Sequence, residues 1–184
     1  FIAGFTATNK LYALLEIAAI SLGYAISTFV GQNIGAKQYL RVRRGVHTGL
    51  VVGLGVSVVI SVLMLTLGRF LVPLFISGTP EEVASATQTA LAYLNTMSAF
   101  LSMLYVLYVY RSALQGMGNT LIPMVSGIAE FALRVAVVWT LPAIFGPNSI
   151  FFAEIAAWAG AAAILLSAYY VCVRALPHAD APLA

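Results

Sequence analysis

Charge is what this chain has least of. Nine Lys/Arg and six Asp/Glu are spread over 184 residues, so that 8% of the chain is charged. Soluble domains carry about 25% charged and about 45–50% apolar residues. Here the apolar share is 61% and the mean hydropathy is +0.97. A soluble chain of this size needs charged side chains to cover its surface, and this one has too few. A lipid bilayer removes the difficulty, because an outer face there is free to be apolar. Cysteine is nearly absent as well. Cys172 stands alone in an apolar run, which excludes a disulfide within the chain and any Cys/His metal spacing. His47 and His178 are not at ligand spacing, and His47 reads as an interfacial histidine. There is no Walker A motif, HExxH, GxSxG or dinucleotide fingerprint. No nucleophile–base constellation is present to suggest an enzyme, and no resident cofactor or metal is expected. The net charge of +3 is small and concentrated in one stretch, a pattern of membrane orientation more than of nucleic-acid binding. No cleavable signal peptide is found, and the chain begins at Phe1, not at methionine.

Long apolar runs fill the rest. A spanning helix needs roughly 20 mostly apolar residues. Five segments qualify, at residues 4–30, 45–71, 83–110, 121–145 and 150–173. The second and third are the clearest, since no charge interrupts Gly45–Gly68 or Val83–Tyr110. The expected fold class is an all-α integral membrane protein. Its connections are short and rich in glycine and proline, as turns require. Lys37, Arg41, Arg43 and Arg44 lie in the first loop, Arg111 flanks the third, and Arg174 follows the last span. The positive-inside rule makes that side cytoplasmic, with the C-terminus there and Phe1 outside. An odd number of spans with an outside start suggests a missing upstream helix.

Ionisable groups inside a bilayer are costly, so each is a functional hypothesis by default. Glu16 lies deep in the first span. It belongs with Asn9, Tyr12, Gly23 and Ser27 to one polar or small stripe at roughly helical spacing. Glu16 is either a protonatable or cation-contacting carboxylate facing a cavity, or a protonated buried one bonded to a neighbouring helix. Glu130 and Arg134 stand at i, i+4 in the fourth span, the spacing of a same-face ion pair. That pair reads as a structural clamp or as a gating or substrate contact. Glu154 lies near a helix start, where it would stabilise the N-terminal turn. In the third span Gln88, Asn95, Ser98, Ser102 and Tyr105 share one face. Such a stripe should line a pathway or join helices. Tyr105, Tyr108 and Tyr110 read as interface-belt aromatics. Gly45, Gly49 and Gly53, and again Ala156 and Gly160, form small-xxx-small steps that predict close helix packing.

Two loops carry more particular wording. Ala25–Gly45 reads AISTFVGQNIGAKQYLRVRRG, and Arg111–Met124 reads RSALQGMGNTLIPM. Together, at this separation and on a five-span profile, they resemble the multidrug and toxic compound extrusion (MATE) family. A G-Q-x-x-G-A turn followed by basic residues matches Gly31, Gln32, Gly35 and Ala36. An R-x-x-L-Q-G-x-G-x-T segment matches Arg111, Gln115, Gly116 and Gly118. The resemblance implies a twelve-helix antiporter of two six-helix lobes, with this chain forming helices eight to twelve. On that basis the upstream helix and the N-terminal lobe are missing. It also implies export of cationic or amphipathic drugs against sodium or protons across the plasma membrane, by lobes rocking around a central cavity. Family coupling carboxylates lie on the first helix of either lobe or on the fourth helix of the C-terminal lobe. The first is absent here, and the third span has no Asp or Glu between Val83 and Tyr110.

The transport-path candidates are therefore Tyr12, Glu16, Asn95, Ser98, Ser102, Glu130 and Arg134, chosen on physical grounds and not by motif. The motif glycines are expected to turn the chain tightly at helix ends. Gln32, Asn33, Gln115 and Asn119 are expected to satisfy helix-end groups. Two other readings stand beside drug antiport. One is a lipid-linked sugar flippase or polysaccharide exporter, which should carry more cationic residues in its cavity. The other is a non-transporting scaffold subunit of a membrane complex. The expected partners are the lipid bilayer, small organic cations or amphipathic drugs, and the missing lobe, with no nucleic acid.

Overall fold

A computed structural model describes the backbone of residues 2–76 and 79–177. The side chains of residues 2–12, 14, 15, 82, 147 and 148 lie outside that description. Six α-helices are present among the described residues: α1 (Ile2–Gly35), α2 (Tyr39–Leu71), α3 (Pro80–Ala99), α4 (Leu101–Gly116), α5 (Leu121–Phe145) and α6 (Phe152–Ala175). Short 3₁₀ turns at Val72–Phe75 and Pro147–Phe151 follow α2 and precede α6. Among the described residues four spans are long and apolar enough to cross a bilayer, and α3 with α4 adds a fifth if the bent pair is one crossing.

That bend is the main departure from the sequence reading. The third span is not one rod. It breaks at Phe100, and its halves meet at 50°. No proline or glycine causes the break. The cause lies on α2, where Ser57 and Ser61 stand at i, i+4 and so share a face. Ser61 Oγ donates to the Ser98 carbonyl at 2.6 Å, and the Ser57 and Ser102 hydroxyls bond at 2.8 Å. In an unbroken helix the Ser98 carbonyl would accept from the Ser102 N–H. A hydroxyl inserted into that ladder is a recognised origin of kinks, and it satisfies the freed carbonyl where no water is available.

Helix α4 is the centre of the bundle, packed by α1, α2 and α6, while α5 leans chiefly on α6. Leu101, Tyr105, Leu107, Val109, Ala113 and Leu114 of α4 are fully or almost fully buried. Small residues set the close crossings that their spacing predicts. A Cβ at Gly45 would run into Phe29, at Gly49 into Ile26 (2.9 Å) and at Gly53 into Leu22 (2.9 Å). The α2 glycines thus seat successive side chains of α1. Gly160 of α6 seats Leu133 of α5 in the same way. The outer faces are apolar. Val51, Val58, Val59 and Val62 of α2 and Ile128, Phe131 and Val135 of α5 are exposed, and Trp139 is 81% exposed. Such faces are stable against lipid and not against water. The chain is a multi-pass α-helical membrane bundle.

Candidate functional site: a charged cavity within the bundle

Five helices each present polar side chains to one space inside the bundle. Tyr108 and Arg111 lie at i, i+3 on α4, Glu130 and Arg134 at i, i+4 on α5, and Glu154 and Trp158 at i, i+4 on α6. These spacings place each pair on a single helix face. With Glu16 of α1 and Tyr93 of α3 they line a cavity of about 310 Å³. Trp158 is 1% exposed and Leu104 and Leu107 are buried, so the walls between the polar groups are apolar.

The charges form a chain. Arg111 Nη2 donates to Glu130 Oε2 at 2.7 Å. Arg134 Nη2 donates to Glu130 Oε1 at 3.2 Å and to Glu154 Oε2 at 2.7 Å. Glu130 therefore lies between two guanidiniums, and Arg134 between two carboxylates. Glu130 and Arg134 thus each have two oppositely charged partners, and neither is left as an uncompensated charge, the costliest arrangement. The Nε–H groups of Arg111 and Arg134 remain buried without a partner. Glu16 stands apart from the chain. Its partner is the Tyr108 hydroxyl, which donates to Glu16 Oε1 at 2.6 Å. Among the described residues no guanidinium or ammonium pairs with Glu16. Three carboxylates thus face two guanidiniums, a formal excess of one negative charge.

A second cavity of about 380 Å³ adjoins the first. It is lined by Ile20, Tyr24 and Ser27 of α1 and by Tyr108, Arg111, Ser112 and Gln115 of α4. Tyr108 and Arg111 line both cavities and form the wall between them. The Arg111 guanidinium sits 6.0 Å from the centre of the Tyr108 ring, within cation–π reach.

The sequence candidates separate accordingly. Glu16, Glu130 and Arg134 come together in the charged cavity. Tyr12 lies on α1, but its side chain is outside the described residues. Asn95 is exposed, the Ser102 hydroxyl bonds Ser57 of α2, and Ser98 meets Ser61 of α2 through its backbone carbonyl while its own hydroxyl is buried without a partner; none of the three lines the cavity. Sequence reasoning missed Tyr93, Tyr108, Arg111 and Trp158 as cavity residues. Arg111 reads in the sequence as a loop marker, and Tyr108 as an interface aromatic. Their i, i+3 spacing was the available signal. Glu154 does occupy the first turn of α6, as its position suggests, and in addition it holds Arg134.

The loop motifs meet one another. Gly31 is not at a turn: α1 continues through it, and its Cα approaches the Gly116 carbonyl, which a Cβ would meet at 3.6 Å. A Cβ on Gly116 would lie 2.6 Å from the Ser27 carbonyl and 2.8 Å from Val30 Cβ. Gly116 therefore lets α1 and α4 touch backbone to backbone, whereas a Cβ at Gly31 would be in ordinary contact. Turning falls to others. Gly118 adopts φ +83, and Lys37, following Gly35 and Ala36, adopts φ 55. Gly35 and Ala36 are exposed, and the Ala36 N–H closes the helix end on the Gln32 carbonyl at 3.0 Å. Gln32 and Gln115 side chains are exposed. Asn119 does serve a helix end, its Oδ1 accepting the Ile122 N–H at 3.2 Å. Asn33 donates back along α1, to the Phe29 carbonyl at 2.8 Å. Among the described residues no group of three His, Cys, Asp or Glu side chains is placed to hold a metal ion.

Apolar outer faces around a cavity of paired charges define a class: a polytopic membrane protein with an ionisable interior. Comparison with known proteins narrows it. The sequence model of the MatE family matches residues 1–140, and the chain belongs to that family. A solved structure described as the inward-facing conformation of a multidrug resistance MATE family transporter of the MOP superfamily matches with a TM-score of 0.80. The identity is 17%, and the match covers 97% of this chain and 39% of that one. Likeness at that identity shows the fold, which is the MATE type expected from the two loops. The chain spans about two-fifths of the length of that transporter. Among curated proteins no significant match is found.

Proposed function

We propose that this chain is part of the C-terminal lobe of a secondary active exporter that moves cationic or amphipathic drugs against sodium or protons. The observation that carries the reading is the charged cavity inside the spans. Intramembrane ionisable groups facing an enclosed space are the usual mark of an ion or proton path, and the excess of carboxylate favours cations there. The flippase and polysaccharide-exporter reading called for a more cationic interior. Arg111 does join Arg134 in the cavity, but both are held by Glu130 and Glu154.

At about 310 Å³ the cavity is at the small end of pockets that enclose drug-sized ligands. Its role in this reading is coupling, with the drug bound between lobes. Glu16 is the exchange site. Glu130 and Glu154 are fixed by guanidiniums, whereas Glu16 is held by one phenol. Taking up a proton or cation at Glu16 weakens its claim on Tyr108. Tyr108 and Arg111 form the wall toward the second cavity, so the change is passed to the face that includes Gln115 of the loop motif. Coupling requires that the bound ion favour one lobe arrangement over the other. The basic end, with Lys37, Arg41, Arg43, Arg44 and Arg174, faces the cytoplasm in this reading.

The test is ethidium efflux from cells expressing the full-length protein, with Glu16→Gln, Glu130→Gln and wild type at matched expression and with sodium and pH varied separately. Glu16→Gln should abolish ion-dependent efflux. Glu130→Gln should lower protein stability as well as transport, because it strands Arg111. Wild-type efflux that Glu16→Gln leaves unchanged in rate and ion dependence would remove Glu16 from the mechanism. Absence of wild-type efflux under any gradient would favour the flippase reading.

A further inference from the structure

We propose that the cavity between the basic ends of α2, α4 and α6 binds the phosphate of an anionic phospholipid from the surrounding bilayer. This cavity, of about 260 Å³, is separate from the charged one and shares no residue with it. Arg43 and His47, one turn apart on α2, form one wall, and Tyr110, Tyr169 and Tyr170 form the other. Several features point to the ligand. The first is the donor set. Arg43 is anchored by Nη2, which donates to the carbonyls of Val173 at 2.8 Å and Leu176 at 3.0 Å, at the C-terminal end of α6. Its Nε–H is buried with no acceptor. His47 and Tyr170 stand exposed at the rim.

The second feature is the sign of the field. Among the described residues no acidic side chain lines the cavity. The sequence holds no Asp or Glu between Glu16 and Glu81, or between Glu154 and Asp180. Lys37, Arg41, Arg44 and Arg174 are exposed at the same end, and among the described residues none of them makes an ion pair. A basic pocket between transmembrane helices is the arrangement that binds acidic headgroups.

The third feature separates a lipid from a free anion. One turn deeper than His47 lies Val51, 57% exposed, followed by exposed Val58 and Val59 on α2. One turn deeper than Tyr170 lies Leu166, also exposed, on α6. The pocket, whose walls also include Val46, Leu50 and Val173, thus continues toward two apolar tracks that run into the span. A phosphate seated at Arg43 and His47 would place its acyl chains along them. The tyrosine cluster, with Tyr110 and Tyr169 ring centres 5.0 Å apart, is amphipathic and suits the headgroup level.

The experiment is native mass spectrometry of the full-length protein titrated in detergent with phosphatidylglycerol and, separately, with phosphatidylcholine. Wild type, His47→Gln, Arg43→Gln and the double variant Arg41→Gln/Arg44→Gln are compared. The last removes charge from the same end without touching the cavity. Wild type should retain phosphatidylglycerol in preference to phosphatidylcholine. Each cavity substitution should weaken that retention on the order of tenfold, the scale of a lost charge-assisted bond. The double variant should weaken it much less. Equal loss in all variants would mean a diffuse basic surface and overturn the site, as would no loss in any. Displacement of the lipid by inorganic phosphate at modest excess would show a free-anion site and overturn the lipid assignment. His47 is exposed, so His47→Gln decides the matter even if Arg43→Gln does not fold.

Discussion

Single residues at the loop ends show how a motif divides its labour. Lys37 occupies the left-handed region at φ 55, where a side chain costs about 1 kcal/mol relative to glycine. Lys37→Gly is therefore expected to raise the melting temperature in detergent, and Gly118→Ala, at φ +83, to lower it. A fall with Lys37→Gly would show that the lysine side chain contributes more than its backbone strain costs. Gly116 is constrained differently. Its neighbour is the Ser27 carbonyl, and backbone does not yield as a flexible side chain does. Gly116→Ala should destabilise by about 1–3 kcal/mol, as overpacking does. Gly35→Ala, with nothing within 4 Å of the added Cβ, should be close to neutral. Thermal melts of the two variants side by side check this, and equal effects would disprove the α1–α4 contact.

The elements are shaped by each other more than by their own propensities. Helices α3 and α4 contain no residue that breaks a helix at Phe100, yet they meet at 50°. Two hydroxyls from α2 meet the break, Ser61 on the Ser98 carbonyl and Ser57 on the Ser102 hydroxyl. Removing them with Ser57→Ala/Ser61→Ala should cost about 1–2 kcal/mol, since interhelical hydrogen bonds in membranes average about 0.6 and reach about 1.7 kcal/mol each. It should also straighten the bend. Distances between spin labels on exposed Ala92 of α3 and exposed Gln115 of α4 report this directly. An unchanged distance distribution would place the origin of the bend elsewhere. The bend has a functional consequence as well. It brings Tyr93 of α3 to the same cavity as Tyr108 of α4, while Ser98 and Ser102 stay with α2.

At the scale of the whole molecule, the charged cavity lies within one bundle, whereas alternating access needs two bundles moving against each other. The chain spans about two-fifths of the transporter that it matches. The 184-residue chain reconstituted by itself in liposomes is therefore expected to move no ethidium under a sodium or proton gradient. Transport by that preparation would overturn the proposal that a second lobe is required. The same liposomes with the full-length protein serve as the positive control.

Much of the fold was legible along the chain because a bilayer reads sequence locally. Each span must satisfy its own backbone and present apolar side chains to lipid, so runs such as Gly45–Gly68 declare themselves without knowledge of neighbours. The two loop motifs added the family. Glu130 and Arg134 were legible as a pair because one helix turn separates them. The remainder depended on contacts between distant segments. Arg111 and Glu154 complete the charge chain only because α4 and α6 flank α5, and Glu16 gains Tyr108 across 92 positions of sequence. The break at Phe100 meets Ser57 and Ser61, on a different helix. Periodicity shows which face a residue occupies, but not what that face meets. Which charges are paired, and which carboxylate is left to a phenol, is decided by packing.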